Sequence, residues 1–225
     1  EDAAFNHAKL VYENESSYAD AVDVFHSFIR QFPNSNHLPL IQDYLAQAYS
    51  SSKNYKAALA SLDQLEDLNF EQKQASQRIA YCRGIELFNN ESEDLAVKYF
   101  DKSLANPIHP EFKALCYYWK GESYAVLGEF TKSVQEYKKF LYASGSFRLK
   151  EYSNVYYALG YAKYHQQAYS KSIKWFRKYI KNATDNQKLN DAFLRTGDAY
   201  FMTNKYARAI DYYAQAENVG IFDVD

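Results

Sequence analysis

Tyr117-Tyr-Trp-Lys-Gly121-Glu-Ser-Tyr124-Ala-Val-Leu-Gly128-Glu-Phe130-Thr-Lys-Ser133-Val-Gln-Glu-Tyr137 is the stretch that decides the fold. Leu115, Tyr118, Gly121, Tyr124 and Ala125 recur at helical spacing, Gly128-Glu129 interrupts them, and Val134, Tyr137 and Leu141 then resume on one face. The reading is two amphipathic helices joined by a tight turn. Outward from it, the pairing of Phe130 with a small residue three positions on recurs as Tyr18-Ala-Asp-Ala, Tyr55-Lys-Ala-Ala, Tyr169-Ser-Lys-Ser and Tyr206-Ala-Arg-Ala, with Glu93-Asp-Leu-Ala filling the one long gap. The steps between 18, 55, 93, 130, 169 and 206 are 37, 38, 37, 39 and 37 residues. Such a period marks stacked supersecondary units, because a single short unit cannot bury its own apolar face.

A second series runs in register with the first. Gly84, Gly121, Gly160 and Gly197 all stand nine residues before the register position, with Ala46 in the equivalent place of the second unit and Lys9 in that of the first. Glycine inside a helix costs about 1 kcal/mol against alanine, so its recurrence implies close approach of the paired helix. Ala21, Ala58, Ala96, Ser133, Ser172 and Ala209 form the matching small series on the second helices. The register aromatic is expected to plug the end of each hairpin. Phe32-Pro-Asn-Ser-Asn36, Asn106-Pro-Ile-His-Pro110, Ser144-Gly-Ser146 and Asn182-Ala-Thr-Asp-Asn186 supply breaks between units.

Composition fits an elongated helical array. The 225 residues hold only 7 Gly and 4 Pro, too few for long linkers, and 23 Tyr with 15 Phe, enough aromatic area for a sizeable core. The net charge of -2 conceals an acidic half, residues 1–112, with 9 basic against 17 acidic residues, and a basic half, residues 113–225, with 17 against 11. This asymmetry can orient an encounter. No apolar run is long enough to span a bilayer and no signal peptide is visible. The chain opens without methionine and ends without a polar capping helix, which reads as an excised or processed piece of a longer protein.

The pattern Tyr117-x2-Lys-Gly121-x2-Tyr124-x3-Gly128-x-Phe130-x2-Ser133-x3-Tyr137 resembles the tetratricopeptide repeat. The resemblance covers the chain as one array of six units, about 2–37, 39–75, 77–113, 114–152, 153–189 and 190–223, with units four to six matching best. It implies an all-α, right-handed superhelical solenoid whose first helices line a concave face. It also implies a non-catalytic scaffold that binds a peptide or helix of a partner protein. The units are longer than the family's usual length, and with the Phe-Pro-Asn-Ser break they resemble bacterial cell-envelope forms of the family. That implies a periplasmic or envelope setting rather than the cytoplasm.

Carried over position by position, the family's groove falls on Arg78, Tyr81, Ile85 and Phe88 in unit three; Tyr118, Glu122 and Val126 in unit four; Asn154, Tyr157, Tyr161, Tyr164 and His165 in unit five; and Leu194, Asp198, Phe201 and Met202 in unit six. Asn6, Asp43, Gln47 and Ser51 make the groove of the first units polar. Rings at these positions are either a partner surface or packing between first helices. A lysine–asparagine clamp for a terminal carboxylate is missing, since the central positions hold Leu10, Gln47, Ile85, Glu122, Tyr161 and Asp198.

Lys171, Lys174, Lys178 and Lys181, with Arg177, share a helix face; a solvated convex surface is the preferred reading over an anion patch, and no nucleic-acid partner is expected. Cys82 and Cys116 read as core thiols. Asn14-Glu-Ser, Asn90-Glu-Ser and Asn182-Ala-Thr match the glycosylation sequon, which carries weight only in a eukaryotic secretory setting. The five histidines are scattered, and no phosphate loop or catalytic constellation is present, so neither an enzyme, a metal site nor a cofactor is expected. Two alternatives accompany the scaffold reading: a segment of a larger or self-associating solenoid, and a glycan-binding module with sugars stacked on tyrosines beside Glu122 and Asp198.

Overall fold

The structure, a computed structural model, describes residues 1–13 and 18–219, without the side chains of 18 and 19. The register ring of Tyr18, the sequon at Asn14 and the last six residues, 220–225, lie outside that description. Among the described residues the regular structure is twelve α-helices and a single 3-10 turn, with no strands. The α-helices are α1 (Asp2–Glu13), α2 (Tyr18–Gln31), α3 (Leu38–Ser51), α4 (Tyr55–Leu62), α5 (Phe70–Asn89), α6 (Glu93–Ala105), α7 (Pro110–Val126), α8 (Phe130–Tyr142), α9 (Glu151–His165), α10 (Tyr169–Ile180), α11 (Asn186–Phe201) and α12 (Tyr206–Val219). Odd-numbered helices are the first of each pair and even-numbered the second, and every second helix begins at a register position. The fold is the all-α array of helix pairs that the resemblance to the tetratricopeptide repeat implies. The chain divides into two compact units, one up to Phe112 and one from Lys113.

The turns repeat as closely as the helices. Lys53, Glu91, Gly128, Gln167 and Asn204 all take φ between 56° and 74°, and each stands two residues before a register position. The amide that follows each of them donates to a carbonyl five residues back: Asn54 to Tyr49, Ser92 to Leu87, Glu129 to Tyr124, Ala168 to Lys163 and Lys205 to Tyr200, at 2.8–3.0 Å. This is the Schellman closure, in which a left-handed residue satisfies the helix's last carbonyls. Glycine occupies the position in one of these five units; the others accept the strain of a side chain there.

The glycine series has a sharper cause than helix proximity alone. A Cβ on Gly84, Gly121, Gly160 or Gly197 would lie 2.5 Å from a ring of the second helix, and the rings are Phe100, Tyr137, Phe176 and Tyr213. The interval from glycine to ring is the same in all four. What needs the space is an aromatic ring lying across the notch. Where the first-helix residue is Ala46, the residue at that same interval is Leu62, in the same buried cluster. In the first unit the buried small residue is Ala8, which shares a cluster with Phe25. Lys9 instead reaches Glu13 at 3.6 Å, so the register there is one residue off the expected one. The second-helix small series is buried as expected, with Ala21, Ala58, Ala96, Ser133 and Ser172 fully so. The plug role of the register aromatic fails at Tyr206, which is 53% exposed.

A methyl at position 160 gains about 1 kcal/mol of helix propensity but meets the fully buried Phe176, an overpacking cost of about 1–3 kcal/mol. Gly160→Ala is therefore expected to lower stability by up to about 2 kcal/mol, and adding Phe176→Leu to recover part of the loss. A urea midpoint for Gly160→Ala at or above the parent value would contradict this packing.

Candidate functional site

First helices carry the candidate residues in both halves, and the two halves differ. In the first, α1, α3 and α5 line a polar cavity of about 170 Å³ with Tyr12, Asp43, Gln47, Ser51 and Arg78. Tyr12 donates to Gln47 at 3.0 Å, and Gln47 donates to Asp43 at 2.9 Å. Arg78 is exposed, whereas Tyr81, Ile85 and Phe88 are half-buried. Tyr81 packs against Phe100 and Phe112, at 6.2 and 5.2 Å between ring centres, so its ring serves the core as much as the surface.

In the second half, α7, α9 and α11 with Tyr137 of α8 enclose a cavity of about 250 Å³. Tyr118, Glu122, Asn154, Tyr157, Tyr161 and Lys188 line it. The structure thus brings together five of the expected groove residues of units four and five. Their polar groups are not idle. Tyr137, whose ring fills the Gly121 notch, donates to Glu122 Oε1 at 2.9 Å, and Tyr118 bonds the same carboxylate. Tyr157 and Tyr161 both donate to Asp191 Oδ2, at 2.9 and 2.5 Å. Arg195 spans Asp191 at 3.3 Å and Asp198 at 2.6 Å. Tyr213, the ring in the Gly197 notch, donates to Asp198 Oδ1 at 2.9 Å.

This ladder explains the titration of its members. Burial pushes the Glu122 carboxyl up, opposed by the Tyr137 and Tyr118 hydroxyls and the Lys188 charge. Burial and the Asp191 carboxylate hold the Tyr161 phenol up at about 12 and raise Tyr157 further. Burial also raises Tyr164, with Asp198 adding to it and Arg195 opposing.

The expected positions differ in exposure and surroundings. Tyr118 is nearly buried, a wall rather than an open ring. Leu194 is half-buried. Val126, Phe201 and Met202 are more than half exposed, and Phe201 meets Tyr206 edge-on at 5.3 Å. His165 stacks flat on Phe130 at 4.5 Å. Lys171, Lys174, Arg177, Lys178 and Lys181 lie exposed on or just beyond α10, with Lys178 4.5 Å over Trp175. Cys116 is buried but Cys82 only half-buried, so the first alone is a full core thiol. Among the described residues no group of three His, Cys, Asp or Glu is placed to hold a metal ion, and no helix is long and apolar enough to cross a membrane. Sequence reasoning missed Asp191, Arg195 and Lys188. The first two had a signal: Asp191, Arg195 and Asp198 follow at steps of four and three, one face of a helix.

Residues 2–35 and 191–218 match the family model described as Tetratricopeptide repeat. Solved structures of the same fold include the C-terminal part of a TPR repeat-containing protein from Cytophaga hutchinsonii, 21% identical, covering 96% of this chain and 78% of that one at a TM-score of 0.56. BtubC from P. vanneervenii is 14% identical, covering 92% and 90% at 0.59. YrrB, described as a TPR protein with an unusual peptide-binding site, is 15% identical, covering 87% and 91% at 0.59. No curated protein matches by sequence. Two stretches of the chain thus match the tetratricopeptide-repeat model, and its fold is that of solved tetratricopeptide-repeat proteins. That class serves generally as a non-catalytic scaffold for protein–protein interaction.

A carboxyl raised in the folded state binds more protons folded than unfolded between its two pKa values, so stability falls as pH rises through that window. Ionised Glu122 thus costs stability at neutral pH. Glu122→Gln, which keeps an acceptor for Tyr137, is expected to be more stable than the parent at pH 7. The advantage should vanish below the ordinary carboxylate range of about 4. Parallel denaturation curves across pH check it; an advantage that is constant with pH would place the cause elsewhere.

Proposed function

We propose that the first-helix face of the second half, around the cavity between α7, α9 and α11, captures an extended segment of a partner protein. The observation that carries this reading is the cavity itself, walled by Tyr118, Tyr157 and Tyr161 and carrying polar groups at Glu122, Asn154 and Lys188. Tyrosines held at fixed geometry offer contact area at little entropic cost. Here Asp191 and Arg195 hold them before any partner arrives. The peptide-binding site named for YrrB belongs to that protein, but it supports the view that this fold can serve such a role. The first helices of the first half present a more polar surface, with Asp43, Gln47 and Arg78. An envelope setting fits this reading and rests on the repeat length and the Phe-Pro-Asn-Ser break.

Alanine at Tyr157 or Tyr161 would also strip the ladder, so the test uses Asn154 and Lys188, which line the cavity with few ties to the scaffold. A partner recovered from the native source should protect α7, α9 and α11 from hydrogen exchange. Asn154→Ala should weaken its capture about tenfold at unchanged helicity, whereas Lys188→Ala, which removes a cation from the cavity, should not. Protection confined to α8 and α10 would put the partner on the second helices and end this proposal.

A further inference from the structure

The cavity in the second half sets one carboxylate, Glu122, and one ammonium, Lys188, among aromatic rings. At about 250 Å³ it is smaller than the roughly 300–1,000 Å³ of small-molecule sites, a size for one long side chain. Glu122 lines it, with its carboxylate bonded by two phenol hydroxyls, and among the described residues no ion pair joins that carboxylate to a cation. The rings of Tyr118, Tyr157 and Tyr161 form the walls. A desolvated carboxylate with no direct ion pair, felt only at longer range by the Lys188 charge and walled by aromatic rings, is complementary to an ammonium or guanidinium group.

The wider charge pattern agrees. Residues 113–225 are basic as a whole, with 17 Lys and Arg against 11 Asp and Glu. Yet the ladder on this face sets Glu122, Asp185, Asp191 and Asp198 against Lys188 and Arg195. Arg195 is committed to Asp191 and Asp198. Lys188 is the cation among the described residues that line the cavity. It is held by Asn154 at 3.4 Å and Asp185 at 4.0 Å, with its side chain 40% exposed, and such loose ties let it swing away.

Resting on the groove reading above, we propose that the cavity at Glu122 is a pocket for a lysine or arginine side chain of the bound segment. The cation pairs with Glu122, its alkyl stem lies between Tyr157 and Tyr118, and Lys188 moves outward to Asp185. The preference for a basic partner residue is then set on this face, against the charge of the half that carries it.

The test uses capped pentapeptides Ala-Ala-Xaa-Ala-Ala, with lysine, arginine, norleucine or glutamate as Xaa, titrated into the ¹⁵N-labelled chain. Lysine and arginine peptides should shift amides of α7, α9 and α11, with norleucine about tenfold weaker and glutamate inert. Glu122→Gln should remove the preference for lysine over norleucine. Lys188→Gln should strengthen lysine binding a few-fold. Equal affinity for norleucine and lysine on this face would overturn the charge selection while leaving the groove intact. A site that takes glutamate and loses it in Lys188→Gln would show an anion pocket instead. Silence from all four peptides would overturn the pocket, with exchange protection by the native partner still deciding the groove.

Discussion

From the third unit onward this structure depends on a ring lying across a glycine. In the four glycine-bearing units the first helix gives up a side chain so that an aromatic of the second helix can cross it. A Cβ at the glycine would sit 2.5 Å from the ring. The contact costs helix propensity, about 1 kcal/mol per glycine. In return it buries Phe100, Tyr137 and Phe176 almost completely, and burial of a large side chain contributes about 1.5–3 kcal/mol. The hairpin is therefore held at one spacing and one rotation.

The same contact connects core to surface. When the crossing ring is tyrosine, its hydroxyl emerges beside the residue following the glycine, and that residue is a carboxylate: Glu122 for Tyr137, Asp198 for Tyr213. When the ring is phenylalanine the following residue is not acidic: Ile85 for Phe100, Tyr161 for Phe176. A buried hydroxyl demands an acceptor, so the choice between Tyr and Phe in the core dictates what chemistry stands on the first-helix face. Glu122 is held by Tyr118 and Tyr137 on one side and lines the cavity on the other. Its raised pKa reflects incomplete compensation of a desolvated charge, and the cation pocket proposed above rests on the same feature.

The repeat, the pairing of helices and the glycine register were legible in the sequence because all are periodic. A near-constant step, and a glycine nine residues before four of the register positions, survive any local uncertainty. The identity of the glycine's neighbour was not legible. Proximity of the small residues on the second helix was the simpler inference, and only packing shows that a ring of that helix fills the notch. The first unit was misread at Lys9 for the same reason, since the buried Ala8 lies ten residues rather than nine before Tyr18. The groove positions came through family resemblance. The partners of their hydroxyls did not, because Tyr157 and Asp191 are 34 residues apart and meet only when α9 and α11 pack.

What the sequence by itself determined is the class: helical hairpins at a fixed period, with aromatic residues sufficient to fill the space between them. Local spacing settles those matters, since i, i+3 and i+4 relations and a turn residue at positive φ are properties of short segments. Tertiary structure alone decided how each aromatic is used. Tyr118 became a buried wall, Tyr157 and Tyr161 became donors to Asp191, and Phe201 remained exposed. A side chain's exposure and its hydrogen-bond partner are set by residues on other helices, up to a whole repeat away, and no period within one helix encodes them.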